Sequence, residues 1–202
     1  MDHHPVVIKL GGSLLGQPLL QDWLAAIHQH ARGRAVIVPG GGQYADAVRE
    51  QVDLTAEMAH YQAMLAMRQA ANDCIALNPA YKRADSLAAI ARLLAADETP
   101  IAVPVDDWLF AGDIPASWDW TSDSLALWLA DRLQAERLLL VKSVAPDDNP
   151  VDVHSCSGIV DAAFADLLTR VTVEGYWAGP ATADQLPAWL AGEPRHDIAR
   201  LD

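Results

Sequence analysis

Two lysines occupy places where lysine is hard to explain as packing, because each closes a short run of large apolar residues. Val6–Ile8 leads into Lys9, and Leu138–Val141 leads into Lys142. Burying an unpaired ammonium group is costly, so each lysine needs an anionic partner or a route to solvent. Read as parallel strands, the two runs end at the same edge of a sheet. The sequence therefore predicts that both ammonium groups meet at one crevice.

Two glycine-rich segments each follow a predicted strand. The first is Gly11-Gly12-Ser13, and the second is Gly40-Gly41-Gly42, which opens a predicted helix. Glycine lets a backbone approach a ligand closely, and N–H groups at a helix N-terminus favour an anion. Both segments fit phosphate binding, and both also read as ordinary tight turns. Neither is a P-loop, because the lysine of that motif follows its glycines and Lys9 precedes them.

An acid lies between the two lysines in sequence, in the segment Thr121-Ser122-Asp123. One interpretation needs no ligand: Thr121 or Ser122 caps a helix, and Asp123 complements the helix dipole. In the functional interpretation, Asp123 fixes a lysine or a metal-bound phosphate. Two cations and an acid around a glycine-lined pocket suit phosphoryl transfer, in which positioning and charge stabilisation supply most of the catalysis.

The elements that must position these residues alternate between apolar strands and amphipathic helices. This alternation predicts one α/β domain over residues 1–202, with a mostly parallel sheet covered on both faces. The predicted strands are Val6–Leu10, 35–38, 101–103, 137–142 and 171–174. The predicted helices are 19–27, Gly40–Val48, 55–72, 84–95, 122–133, 159–168 and 183–190, and the predicted loops are 104–120 and 145–157.

Composition narrows the class of protein. The 202 residues are 51% hydrophobic and 20% charged, which is typical of a folded domain, and the formal net charge is −13. That charge argues against nucleic acid or an anionic membrane as the main partner, although a local cationic pocket for a small anion is compatible with it. No run approaches the length of a membrane span, and the two cysteines lie far apart. We expect a cytoplasmic protein.

Taken in order, four segments resemble the amino acid kinase family, which includes acetylglutamate, carbamate, aspartate and uridylate kinases. They are Lys9–Ser13, Gly40–Gly42, Thr121–Asp123 and the leucine-rich strand ending at Lys142. The resemblance spans essentially the whole chain. It implies a three-layer α/β/α sandwich and an ATP- and Mg²⁺-dependent phosphotransferase of a small anionic metabolite. It also implies a homodimer or higher homo-oligomer, with the acceptor on an N-terminal half, about 1–120, and the nucleotide on a C-terminal half, about 121–202.

The same resemblance assigns roles to particular residues. Lys9 binds the transferring phosphoryl group, Asp123 organises the lysines, and Lys142 completes the catalytic set. The implied phosphate- and nucleotide-binding residues are Gly11, Gly12, Ser13, Ser122 and Lys142. Mg²⁺ is expected to arrive with the nucleotide, with Asp123 as a candidate ligand.

One segment departs from the family pattern. Many members carry Gly-Gly-Met-x-x-Lys at the start of a late helix, and the counterpart here, 157–162, has no lysine. Lys142 is expected to replace it, as in uridylate kinases, which resemble this chain at that strand end. If nothing replaces it, catalysis is weakened or lost.

Local features are similar to the branch of the family that phosphorylates a furan-methyl phosphate in methanofuran-type cofactor biosynthesis. They are Ala59-His60, the run 115–119 and the late segment 158–161. The predicted acceptor-binding residues are Gly40, Gly41, Gly42, Arg49, His60, Trp118 and Thr121. Aromatic side chains stack on a planar ring, and arginine pairs with phosphate. The alternatives are core or dimer packing for the tryptophans and for His60, and a solvated Arg49.

Two other functions remain open from the sequence. The missing late lysine favours a non-catalytic relative that binds an anion or serves as an assembly subunit. Gly40, Gly42 and Ala45 also satisfy the dinucleotide fingerprint of a Rossmann oxidoreductase. That fingerprint requires an acid at the end of the following strand, whereas Asp53 and Glu57 fall in a predicted helical stretch.

Overall fold

A single seven-stranded sheet organises the described part of the chain, residues 4–202 of a computed structural model. The strand order is β3-β4-β2-β1-β5-β6-β7, and every pairing is parallel except that of β6 with β7. The mostly parallel sheet is therefore confirmed. The strands are β1 Val6–Leu10, β2 Ala35–Pro39, β3 Lys82–Ala84, β4 Pro100–Ala102, β5 Arg137–Val141, β6 Glu174–Ala178 and β7 Ile198–Leu201.

Helices cover both faces of this sheet. All residues of β1, β2 and β5 are buried, which requires a layer on each side. The three-layer α/β/α sandwich is confirmed. The helices are α1 Pro18–His30, α2 Gly42–Arg49, α3 Ala56–Leu77, α4 Leu87–Ala95, α5 Val105–Leu109, α6 Ser122–Arg132, α7 Phe164–Leu168 and α8 Leu186–Leu190.

The chain changes direction across the sheet at β1. From β1 it proceeds to β2 and then to β3 and β4 on one side, and it returns to place β5 on the other side of β1. Such a reversal opens a crevice beyond the carboxyl ends of the two strands beside it. Register aligns Lys9 with Leu140 and Leu10 with Val141, so Lys142 follows at the level of Gly11.

The first helix shows how the apolar pattern sets the layers. Leu20, Trp23, Leu24 and Ile27 recur at helical spacing and are all buried. The Trp23 indole donates to the carbonyl of Pro180 at 2.8 Å, so this large side chain is buried with its polar atom satisfied. The predicted helix over 19–27 is confirmed and extends to 18–30.

Several predicted boundaries in the first 120 residues are wrong. The predicted helix over 84–95 begins at Leu87, because Lys82–Ala84 forms β3 and Ser86 caps the helix by accepting from Ala89 N–H. The strand predicted at 101–103 is Pro100–Ala102. The predicted loop over 104–120 contains α5, and the helix predicted over 55–72 runs on to Leu77.

The C-terminal region differs more from the sequence-based prediction. The strand predicted at 171–174 begins where that range ends, at Glu174, and β7 has no predicted counterpart. Gly175 weakens the apolar pattern of β6, but it leaves room for Leu168 of α7, whose methyl groups would lie 3.2 Å from an added Cβ. The helix predicted over 159–168 is confined to Phe164–Leu168, because the preceding residues turn toward α6.

No helix among residues 4–202 combines the length and the hydropathy that crossing a bilayer requires.

Candidate active site

A buried carboxylate shared by two ammonium groups lies at the carboxyl edge of the sheet. Lys9 Nζ is 2.9 Å from Asp123 Oδ1, and Lys142 Nζ is 2.5 Å from Asp123 Oδ2. The side chains of Lys9 and Asp123 are each 5% exposed, and that of Lys142 is 13% exposed. The sequence-based prediction that the three groups converge is confirmed, and we call them the lysine–aspartate cluster.

Mutual attraction keeps this cluster charged in spite of its burial. Burial by itself would raise the pKa of Asp123, but the charges of Lys9 and Lys142 outweigh that effect and lower it to about 2. Burial and repulsion by Lys9 lower the pKa of Lys142 to about 8, against the attraction of Asp123. At neutral pH the three groups carry one net positive charge, which suits an anionic ligand.

The N-terminus of α6 places Asp123 in this cluster. Thr121 is the N-cap residue, but its side chain accepts no bond from the helix. The cap comes instead from Asp161, which accepts bonds from Thr121 N–H and Ser124 N–H at 2.9 and 3.0 Å. Thr121 therefore occupies the predicted N-cap position, but the capping bonds come from Asp161 rather than from the Thr121 side chain. A carboxylate at this end also complements the helix dipole.

The two glycine segments pack against each other beside the cluster. A Cβ on Gly12 would lie 2.2 Å from Gly42 N, and one on Gly40 would lie 2.6 Å from Gly12 N. Gly42 also has a φ of +52°, which other residues rarely adopt. The backbones of the two loops touch, so the tight-turn interpretation explains these glycines without excluding phosphate binding.

The backbone donors of these loops are not equally available. Gly11 N–H donates to Val141 O at 2.8 Å and continues the strand pairing. Gly11 is therefore not free to donate to phosphate, which corrects its predicted role. The N–H groups of Gly12, Gly41 and Gly42 meet no acceptor among residues 4–202, and they remain candidates for an anion.

A cavity of about 290 Å³ adjoins the glycine loops. Its walls come from the two loops, from α2 and α3, and from the chain entering α6. All seven predicted acceptor-binding residues line it, as do Gly12, Ser13 and Ser122. The seven are Gly40, Gly41, Gly42, Arg49, His60, Trp118 and Thr121.

Comparison with known proteins finds similarity to one family of kinases. The sequence model described as the amino acid kinase family matches residues 4–78. A Methanocaldococcus jannaschii protein, named [5-(aminomethyl)furan-3-yl]methyl phosphate kinase, is 27% identical over 95% of this chain and 94% of its own length. The chain is thus similar to the amino acid kinase family over residues 4–78, and to this named kinase over nearly its whole length.

Solved structures agree with this assignment at the level of the fold. Uridylate kinase from Archaeoglobus fulgidus superposes with a TM-score of 0.69 and 18% identity, covering 96% of this chain and 99% of that one. An isopentenyl phosphate kinase superposes with a TM-score of 0.66 and 16% identity, covering 98% of this chain and 100% of that one. The predicted class of enzyme, a small-molecule kinase, is confirmed.

Four tryptophans lie in or just after the predicted loop 104–120, and they divide into two groups. Trp108 is fully buried, and Trp128 is buried with its indole donating to Asp113, so both are core residues. Trp118 and Trp120 instead line the cavity. Core packing thus explains two of the four, and the cavity explains the others.

Two polar side chains reach the cavity from the helices. The Arg49 guanidinium lies 4.6 Å from the ring centre of Trp118, and its Nη1 pairs with Asp46 Oδ1 at 2.7 Å. His60 is 7% exposed, and its Nε2 has no hydrogen-bond partner among the described residues. Burial lowers the pKa of His60 more than a hydrogen bond with the backbone of Ser117 raises it, so the ring is neutral at pH 7.

The late segment of this kinase offers no cation. A second cavity, of about 350 Å³, is lined by His154 and Cys156 and by Ser157, Gly158, Val160, Asp161 and Ala162 of this segment. The acid of this segment, Asp161, turns toward α6. Sequence reasoning passed over it, because its partners lie about forty residues earlier and no spacing rule connects them.

The side chains present do not form a protein-held magnesium site. Both oxygens of Asp123 pair with ammonium groups, and its role as a candidate Mg²⁺ ligand stays a prediction. Among residues 4–202 no group of three or more His, Cys, Asp or Glu side chains is arranged to hold a metal ion.

The fingerprint of a dinucleotide site is incomplete in this kinase. Asp53 lies in the turn before α3 and Glu57 in its first turn, so neither ends a strand. The acid that would hold a ribose is missing from its required position.

Proposed function

We propose that this kinase transfers the γ-phosphoryl group of ATP to the phosphate of a small aromatic phosphomonoester, giving a diphosphate. The best candidate acceptor is [5-(aminomethyl)furan-3-yl]methyl phosphate, the substrate in the name of the M. jannaschii relative. The observation that carries the proposal is the lysine–aspartate cluster beside a cavity lined by Trp118 and Trp120. The product would enter methanofuran-type cofactor biosynthesis.

The chemistry needs no covalent enzyme intermediate and no protein base. An oxygen of the acceptor phosphate, whose second pKa is about 6, attacks the γ-phosphorus, and the bond to the β–γ bridging oxygen breaks to release ADP. Lys9 and Lys142 neutralise the charge on the group in transit, and Asp123 holds both ammonium groups in place.

The glycine loops position the phosphates for in-line transfer. The free N–H groups of Gly12, Gly41 and Gly42 can each donate to a phosphate oxygen, and the side chains of Ser13 and Ser122 add hydroxyl groups at the same cavity. Because their backbones are in contact, these loops are rigid, and donors fixed in advance lose little free energy on binding.

The wall of the cavity fits a ring that carries an anion and an amine. Trp118 and Trp120 offer faces for stacking on furan. Arg49 has N–H groups beyond the one that meets Asp46, and these can pair with the acceptor phosphate. His60 and Thr121 complete the predicted acceptor set at the same cavity.

We assign the acceptor to the N-terminal half of the single domain and the nucleotide to the C-terminal half. The cavity draws most of its wall from residues before 68, which supports the first assignment. The second cavity, lined by residues between 153 and 166, offers space for the nucleotide in the C-terminal half. We further propose that the protein forms a homodimer or higher oligomer, which light scattering would test. We also propose that it is located in the cytoplasm, which cell fractionation would test.

A panel of phosphomonoesters tests the proposed function. Purified protein is incubated with ATP, Mg²⁺ and either the furan-methyl phosphate, UMP or isopentenyl phosphate, and the products are identified by mass spectrometry. We expect the diphosphate of the furan compound and stoichiometric ADP. Acceptor binding in calorimetry without ADP release would instead establish the non-catalytic alternative that the missing late lysine favours.

A further inference from the structure

One partly buried acid outside the lysine–aspartate cluster is hydrogen-bonded to the helix that carries Asp123. Asp161 Oδ2 accepts bonds from Thr121 N–H and Thr121 Oγ1, both at 2.9 Å, and from Ser124 N–H at 3.0 Å. Its other oxygen, Oδ1, accepts from the Ser124 hydroxyl. A single carboxylate thus takes four donors from the two residues that bracket Ser122 and Asp123.

These bonds restrain the direction in which Asp123 points. Asp123 lies in the first turn of α6, where the first N–H groups have no partner within the helix. Without Asp161 the turn would lose its cap, since the Thr121 side chain makes no bond to the helix. A displacement of about 1 Å at a reacting group can cost a factor of 100 in rate. The cap therefore bears on catalysis as well as on helix stability.

The charge of Asp161 also acts on Lys142 of the cluster. Four charged or titratable groups surround Lys142: Lys9 from β1, Asp123 from α6, and Asp161 and Cys156 from the late segment. Asp161 and Asp123 both favour the protonated form of Lys142, whereas burial and Lys9 oppose it. Burial and the neighbouring Asp123 raise the pKa of Asp161.

We propose that Asp161 is a positioning residue of the phosphoryl-transfer site. Its hydrogen bonds hold the 121–124 turn so that Asp123 stays between the two lysines, and it presents a second negative charge to Lys142. The segment that lacks the family's late lysine thus supplies an acid that acts through Asp123 and Lys142. The catalytic consequence rests on the proposed function, whereas the effect on Lys142 does not.

Titration of Lys142 tests the proposal without relying on activity. The sequence has three lysines, so ¹³Cε-lysine NMR gives three signals that Lys9→Arg, Lys82→Arg and Lys142→Arg assign. Asp161→Asn keeps the shape of the side chain and one acceptor oxygen but removes the charge. We expect the pKa of Lys142, about 8 in the wild type, to fall in this variant. Asp22→Asn makes the same change at an exposed site in α1 and should leave it unchanged.

Kinetics tests the positioning role. Ser124→Ala removes the hydroxyl bond to Asp161 but keeps the charge. We expect it to lower kcat by about tenfold with little change in the KM for either substrate and with an unaltered Lys142 titration. Asp161→Asn should lower kcat further and shift the alkaline limb of its pH profile to lower pH. Asp22→Asn should match the wild type.

The outcomes separate the two claims. Wild-type kcat in Ser124→Ala, or an unshifted Lys142 in folded Asp161→Asn, overturns the role of Asp161. If Asp161→Asn does not fold, Ser124→Ala decides alone. A wild-type protein that transfers no phosphoryl group to any acceptor, yet shows the shifted Lys142 in Asp161→Asn, contradicts the proposed function and leaves the electrostatic role of Asp161 standing.

Discussion

At the scale of single residues, the site depends on three charges that would each be unfavourable alone. An ammonium or carboxylate group removed from water loses several kcal/mol of hydration, and an ion pair recovers this only with good geometry. Here one carboxylate meets two ammonium groups, at 2.9 and 2.5 Å, and all three side chains are largely buried. The arrangement gives a fixed positive site whose cations cannot separate, which is what a migrating phosphoryl group requires.

Replacing the shared acid should destabilise the protein strongly. We expect Asp123→Asn to reduce the free energy of unfolding by about 3–5 kcal/mol at pH 7, because two buried ammonium groups lose their counter-ion. The pKa of Asp123 is lowered on folding, from 3.8 to about 2, so the stability it supplies is present above pH 3.8 and is lost as pH falls toward 2. The difference in unfolding free energy between the wild type and Asp123→Asn, measured with urea, should therefore become smaller as pH falls from 3.8 toward 2.

The matched control for that measurement is Asp22→Asn, an exposed acid of α1. It should unfold with nearly the wild-type free energy at pH 7. Equal stabilities of the wild type and Asp123→Asn at pH 7 would contradict the account of the cluster as a mutually dependent set of charges.

Activity should fall on the alkaline side as Lys142 loses its proton. With a pKa of about 8, the free enzyme loses this cation above that pH, and kcat/KM should decline there. Lys142→Arg keeps its charge at every accessible pH. In the activity that this variant retains, the pH at which kcat/KM declines should therefore rise by at least one pH unit. A kcat/KM that stays flat between pH 7 and 9.5 in the wild type would show that Lys142 does not act as a cation.

At the scale of elements, the site is built from strand ends and helix starts. Lys9 comes from β1 and Lys142 follows β5, while α6 brings Asp123 over the same edge. Between them, the loop after β1 and the loop after β2 meet backbone to backbone. The contact leaves no room for a side chain.

A methyl group at this contact should disrupt the site. Gly12→Ala would set a Cβ 2.2 Å from Gly42 N and 2.6 Å from Gly42 Cα, and backbone atoms cannot rotate away. We expect a loss of about 1–3 kcal/mol of stability and a large loss of kcat/KM. Gly16→Ala is the control: its φ of +76° costs about 1 kcal/mol, but its Cβ meets nothing within 4 Å, so activity should persist. Thermal melts and initial rates measure both, and an active, stable Gly12→Ala would refute the contact.

Sequence patterns predict some of these elements and miss others for physical reasons. Apolar strands and glycine loops are local signals, so Lys9 and Lys142 were placed correctly at one edge. Gly11 was misassigned because its N–H is taken by Val141, a partner that only pairing of β1 with β5 reveals. Asp161 was missed for the same reason, since its donors come from another element. The roles of the cavity residues remain predictions.

At the scale of the whole molecule, the two functional halves share one sheet. β1 pairs with β2 on the proposed acceptor side and with β5 on the proposed nucleotide side. The boundary near residue 120 therefore runs through the middle of the hydrogen-bonded core. Neither half can bury β1 on both edges without the other. The cluster spans the same boundary, because Lys9 belongs to one half and Asp123 and Lys142 to the other.

Unfolding should therefore be a single cooperative event. We expect urea transitions followed by tryptophan fluorescence and by far-ultraviolet circular dichroism to coincide, as for one domain. The fragments 1–120 and 121–202, expressed separately, should each lack a cooperative transition. A fragment that folds alone would show that the halves are independent domains.

The most direct test of the central claim compares phosphoryl transfer by two lysine variants. Lys9→Ala removes a cation of the cluster. Lys82→Ala removes an exposed lysine of the edge strand β3, where it pairs with Glu98. ADP release with the furan-methyl phosphate should be abolished in Lys9→Ala, which keeps a wild-type circular dichroism spectrum, and should be unchanged in Lys82→Ala. Full turnover by folded Lys9→Ala would contradict the claim that the paired ammonium groups carry the transfer.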